Sequence, residues 1–93
     1  MTNKEILNTA KQVTLNHLNS LRPAQLEAYT IDDVYIVWFC KTIQNWKALL
    51  STDVVSGMYY ELTYNGDKDE LYMDIYSKYN KIVIPYREGK IQY

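Results

Sequence analysis

The sequence predicts an α+β domain in which one N-terminal amphipathic helix packs on a four- to five-stranded antiparallel sheet. Three observations carry this. Apolar residues recur every three or four positions as far as Leu21. From Val34 onward the period drops to two, in stretches rich in tyrosine and β-branched residues. Short polar turns separate those stretches, leaving no room for the crossovers that a parallel sheet requires. A chain of 93 residues holds one such core, so residues 1–93 form a single domain. The helix is expected over about 3–21, a connector over 22–33 and the sheet over 34–93.

Thr2 and Glu5 stand at the spacing of a capping box, in which each side chain serves a backbone donor left free by the first turn. Ile6, Ala10, Val13, His17 and Leu21 then make the apolar stripe, with Leu7, Thr14 and Leu18 alongside. Lys4, Asn8, Lys11, Gln12 and Asn19 face water. Pro23 stops the helix, and "RPAQLEAYTIDD" connects it to the sheet, with room for a short helical turn.

"VYIVWFCKTI" is the first strand. Strict alternation puts Val34, Ile36, Trp38 and Cys40 on one face and Tyr35, Val37 and Phe39 on the other. Apolar residues on both faces mark a central strand or one covered twice. Gln44-Asn45 turns the chain, "WKALLS" returns, and Ser56-Gly57 punctuates. In "MYYELTYNGDKDELYMDIY", Met58, Tyr60, Leu62 and Tyr64 share a face with Leu71, Met73 and Ile75 across the turn. A two-residue Asn65-Gly66 turn would oppose Glu61 to Glu70, a destabilising like-charge pair. A four-residue loop from Asn65 to Lys68 instead pairs Leu62 with Leu71, Glu61 with Tyr72 and Tyr59 with Asp74, and is the expected register. A competing period, Leu71, Ile75 and Tyr79, fits a short helix after Asp69. "KIVIPY" reads as a last strand, with Pro85 suited to a sheet edge; "REGK" turns and "IQY" finishes. The order of elements resembles cystatin-like folds, in element order alone.

"DDVYIVWFCKT", "QNWKALLST", "GMYYELTYNGDKDELYMDIY" and "KIVIP" together resemble a family of short uncharacterised proteins encoded by phages and prophages of Gram-positive bacteria. The resemblance covers most of residues 32–85, and "VWFCK", "NWKAL" and "YNGDK" are its most specific pieces. The family carries no assigned activity, so no catalytic residue follows from it. It implies expression in the cytoplasm of an infected bacterial cell and an accessory role. Accessory proteins of this size often bind a host protein, defence components included.

Composition narrows the chemistry. A net charge of -1 supplies no field for nucleic acid, and Lys41 and Lys47, expected to approach each other across the first hairpin near Trp46, make no phosphate-tracking stripe. Cys40 is the only cysteine, which excludes an internal disulfide and a thiolate zinc cluster. Among Ile36, Trp38 and Phe39 it reads as a small buried apolar group. "VYIVWFC" is too short to span a bilayer and the N-terminus is unlike a secretory signal, so no membrane association is expected. His17 has no catalytic or metal partner in the sequence and reads as a histidine at the core edge. "YNGDKDE" has neither the length nor the flanking helices of a calcium loop, and its Asn-Gly-Asp is turn chemistry. No complete set of nucleophile, base and oxyanion donors is visible, and the expectation is a non-enzymatic protein without cofactor or metal.

Ten tyrosines against one phenylalanine remain to be explained. If the apolar set of the second hairpin faces the helix, Tyr59, Glu61, Thr63, Glu70, Tyr72, Asp74 and Tyr76 face outward together. Rings beside carboxylates suit lysine and arginine side chains, and aromatic residues anchor protein interfaces. The expected binding residues are Tyr59, Glu61, Tyr72, Asp74, Tyr76 and Trp46, and the expected partner is a host protein with a basic patch. The bland reading is that tyrosine suits strands and carboxylates keep them soluble. A small-ligand protein, holding a nucleotide-like molecule between helix and sheet with tyrosine hydroxyls and His17, is the alternative. The two-sided apolarity of the first hairpin adds a homodimer through that hairpin as a further expectation.

Overall fold

The structure, a computed structural model, describes residues 2–78 and 83–92. Helix α1 spans Asn3–Leu21, and a 3-10 turn, Ile31–Asp33, closes the connector. Strands β1 (Val34–Lys41), β2 (Trp46–Thr52), β3 (Met58–Asn65) and β4 (Glu70–Ser77) form one antiparallel sheet in the order β1-β2-β3-β4. Strands β5 (Tyr86–Arg87) and β6 (Lys90–Ile91) make a separate small hairpin. This is the expected α+β arrangement, with four strands in the sheet.

Local chemistry explains the helix limits. The Thr2 hydroxyl accepts from the Glu5 N–H at 3.1 Å and donates to the Glu5 carboxylate at 3.1 Å, a cap that contributes about 1 kcal/mol. Arg22 turns extended and Pro23 follows, which ends the ladder. Asn19 is half-buried rather than facing water. Its amide accepts from Tyr29 N–H at 2.7 Å and donates to Tyr29 C=O at 3.2 Å, clasping the connector to the helix.

Ile6 and Ala10 of α1 pack against Trp46, Ala48 and Leu50 of β2 and Tyr60 and Leu62 of β3. Each fully buried leucine or isoleucine there contributes about 1.5–3 kcal/mol. The helix lies chiefly over β1 and β2, so β4 sits away from it and Ile75 stays partly exposed on the inner face.

Two expected registers are corrected. In β1 the pairing with β2 shifts between Ile36 and Trp38, a bulge that absorbs Val37. Beyond it the alternation flips: Val34, Ile36 and Phe39 pack inward, while Tyr35, Trp38 and Cys40 pair with Ser51, Leu49 and Lys47 on the outer face. Cys40 is therefore exposed rather than a core group. Lys41 pairs with Trp46 and Cys40 with Lys47, which sets the two lysines on opposite faces of the hairpin.

In the second hairpin the loop has four residues but begins one position later, at Gly66, because Asn65 pairs with Glu70. The Asn65 carboxamide accepts from the N–H groups of Asp67 (3.0 Å) and Lys68 (3.3 Å), an Asx turn that makes Asn65 the last strand residue. Asp69, not Asn65 or Gly66, takes the left-handed conformation, with φ 51°. Residues 70–77 form a strand, so the helical alternative there is excluded. The last expected strand is also corrected. Val83, Ile84 and Pro85 lie outside any strand, and the Pro85 carbonyl accepts from Gln92 N–H, which leads the chain into the β5–β6 hairpin. Residues 79–82, the rest of that expectation and Tyr79 of the helical one, lie outside the described residues.

Candidate functional site

The sheet face turned away from α1 is covered by no element among the described residues. Alternation on β3 and β4 places Tyr59, Glu61, Thr63, Glu70, Tyr72, Asp74 and Tyr76 there, as expected. Tyr59 is 39% exposed, Tyr72 42% and Tyr76 50%, too wet for core residues and too large for incidental ones. Register brings them into rows. Tyr59 stands opposite Tyr76, Glu61 opposite Asp74, and Thr63 opposite Tyr72.

Trp46 does not join them. It is 6% exposed on the inner face, stacked on Tyr64 with ring centroids 5.9 Å apart and planes 17° from parallel. Its place in the row is taken by Trp38, which the β1 bulge turns outward with Tyr35. Strict alternation hides this. A bulge in a strand with apolar residues on both faces leaves no mark in the pattern, because either parity looks buried.

The electrostatics of the face follow from the register. Glu61 and Asp74 are directly opposed carboxylates, an arrangement that costs roughly 0.2–1 kcal/mol. Lys47 of β2 reaches Glu61 at 3.5 Å, a partly exposed pair that offsets part of this. Asp74 has no cation within reach among the described residues. The Tyr72 hydroxyl donates to the Glu70 carboxylate, which steadies the ring, and that bond raises the Tyr72 phenol above its ordinary value, with some desolvation and the Glu70 charge adding to it. The face can therefore take a guanidinium or ammonium between flat rings, where it meets two carboxylates at once.

The other sequence candidates are placed as follows. His17 is half-buried, with Nδ1 3.0 Å from the Tyr60 hydroxyl and the two rings edge to face at 5.4 Å. Tyr60 is fully buried and its hydroxyl also lies 3.0 Å from Met58 Sδ, so burial pushes its phenol up. The histidine thus has a partner that the sequence did not reveal, contributed by β3. Asp67 accepts from Gln44 Nε2 at 2.8 Å, and Asp69 accepts from the Tyr64 hydroxyl at 2.6 Å, which ties both loop carboxylates to neighbours. Among the described residues no three His, Cys, Asp or Glu side chains are grouped to hold a metal ion.

Two depressions flank the hairpin ends. One of about 490 Å³ opens on the outer face between Trp38, Cys40, Lys47, Thr63 and Asn65. A smaller one of about 260 Å³ lies on the inner face between Ile6 of α1 and Trp46, Tyr64 and Gly66. His17 lines neither.

Fold and face together define a small α+β protein, a helix on a four-stranded antiparallel sheet whose outer face carries aromatic and acidic side chains. No helix among the described residues is long and apolar enough to cross a membrane. The chain matches over residues 7–86 the Family of unknown function (DUF6275), and it belongs to that family. The match takes in most of α1, the connector and strands β1–β4, a wider span than the sequence resemblance covered. No curated protein and no solved structure matches the chain.

Proposed function

We propose that this chain is a non-enzymatic accessory protein of a phage or prophage that binds and modulates a host protein, a defence component being one candidate, in the cytoplasm of the infected cell. The outer sheet face is the contact, and a basic patch on the partner is what it accepts. One observation supports this above the rest: three half-exposed tyrosines flank the opposed Glu61–Asp74 pair on a face that no element covers among the described residues. An arriving lysine or arginine relieves the repulsion between the two carboxylates while its stem covers tyrosine rings, so binding gains from a local cost already present in the free protein. The effect is steric, by occupation of the partner's surface.

The test is capture from infected bacterial cells with the tagged chain and with a Tyr72→Ala, Asp74→Ala variant. A host protein retained by the first and lost by the second, at nearly equal thermal stability, is the expected result. Identical captures, or a variant that fails to fold, would end the reading. A second reading, a binder of nucleotide-like molecules, draws on the cleft between Ile6, Trp46 and Tyr64. A thermal-shift screen with nucleotides and cyclic dinucleotides separates the two, since a large upward shift favours the ligand.

A further inference from the structure

Strand β4 ends the sheet, and among the described residues nothing pairs with its outer edge. Exposed edges are ordinarily blunted by proline, lysine, a bulge or an inward-pointing charge. The opposite edge, β1, has such a device in its bulge at Val37. Strand β4 has none. It pairs with β3 in unbroken register from Glu70 to Ser77, contains no proline or lysine, and points Leu71, Met73 and Ile75 inward.

Which of its backbone groups face outward can be read from the ladder. Just beyond the Met58–Ser77 pair, Lys78 N–H donates to Gly57 C=O at 2.7 Å. Hydrogen-bonded positions alternate in an antiparallel pair, so the even-numbered β4 residues bond β3. Leu71, Met73, Ile75 and Ser77 then direct their N–H and C=O groups away from the sheet.

We propose that two copies of this chain pair antiparallel through their β4 edges about a two-fold axis, with Met73 opposite Met73 of the second copy. Backbone direction, side-chain parity and charge all allow that register, and it covers most of the strand. The outward backbone groups of Leu71, Met73 and Ile75 then bond those of Ile75, Met73 and Leu71, about six hydrogen bonds in all. Side-chain direction permits only shifts of two residues. Of the neighbouring shifts, centring on Tyr72 opposes Asp74 to Glu70 on both sides of the axis, and centring on Asp74 opposes that carboxylate to itself. Centring on Met73 opposes Leu71 to Ile75, Tyr72 to Asp74 and Glu70 to Tyr76, with no like charges facing. The apolar strip that α1 leaves uncovered gains its missing neighbours from the second copy. The helix, over β1 and β2, does not reach the seam. The seam borders the outer-face contact proposed above and shares Tyr72, Asp74 and Tyr76 with it, but its backbone pairing does not depend on that reading.

Sedimentation equilibrium of the whole chain, combined with amide hydrogen exchange read by NMR at low and high protein concentration, tests this. Twice the mass of one chain is expected at high concentration, with exchange at Leu71, Met73 and Ile75 slowed at least about tenfold relative to dilute solution. Met73→Lys sets two ammonium groups face to face and should give a folded monomer by circular dichroism. Leu71→Glu combined with Ile75→Lys sets opposite charges across the seam and should still dimerise. A monomer at every concentration overturns the proposal. So does a dimer in which those three amides stay unprotected, or one that survives Met73→Lys. Should Met73→Lys not fold, the exchange pattern of the unaltered chain decides alone.

Discussion

Gly66→Ala offers a test in which backbone conformation and packing point in opposite directions. Gly66 is not in the left-handed region, where only Gly57 and Gly89 among the glycines lie. Replacing such a glycine by alanine ordinarily stabilises by about 0.4–1 kcal/mol, because the unfolded chain loses freedom. Here a methyl group would stand 2.0 Å from the Gln44 carbonyl oxygen and 2.7 Å from Gln44 Cβ. The first of these is backbone, so the β1–β2 turn must retreat by more than an ångström. That retreat strains or breaks two contacts joining the turns: Gly66 N–H to the Asn45 carboxamide at 2.8 Å, and Gln44 Nε2 to Asp67 at 2.8 Å. Each is worth roughly 0.5–1.5 kcal/mol, and the overpacking adds about 1 kcal/mol or more. A net loss of about 2–3 kcal/mol is expected, or a Tm lower by roughly 10–20 °C for a domain of this size. Thermal unfolding followed by circular dichroism measures it. An unchanged or raised Tm would show that the two turns do not touch as described.

Three further outcomes are expected. Asp74→Asn removes one of two opposed carboxylates, so it should raise stability in chemical denaturation by roughly 0.2–1 kcal/mol while weakening partner capture; a loss of stability would refute the opposed pairing. Tyr60→Phe removes a buried hydroxyl that bridges His17 and Met58, at a cost of about 1 kcal/mol or more. Because burial raises the Tyr60 phenol, its contribution is intact below the unfolded value of about 10 and is lost as pH rises further, so the variant should show a shallower alkaline decline in Tm. Cys40 should react with a thiol reagent in the folded protein without denaturant, since the bulge turns it outward; protection until unfolding would mean that β1 alternates strictly after all.

The helix and the four strands were legible because their signals are local and redundant. Thr2, the apolar stripe and Pro23 delimit α1 from three independent directions, and β3 and β4 alternate cleanly because one face is wet. What sequence missed is non-local. The bulge at Val37 turns Phe39 toward the core and Trp38 away from it, and the partner of His17 arrives from a residue far along the chain, Tyr60. Five of the six expected site residues share the outer face because parity alone places them. Trp46 does not join them, because its position opposite Tyr64 commits its ring to the core.

The β3–β4 register carries the most weight for function, because it is the one that charge pairing between neighbouring strands argues against. Opposing Glu61 to Tyr72 would have avoided a repulsion of a few tenths of a kcal/mol. The chain instead sets Leu62 against Met73 and Tyr60 against Ile75, and lets Asn65 satisfy two loop N–H groups. Apolar residues face one another in either register, so the two turn bonds, each worth about as much as the repulsion or more, prevail. The residual cost falls on the outer face, between three exposed rings, where water screens it and a cation can cancel it. A register selected by the turn thus leaves Glu61 and Asp74 opposed on the outer face, and it is on that pair that the proposed basic partner rests.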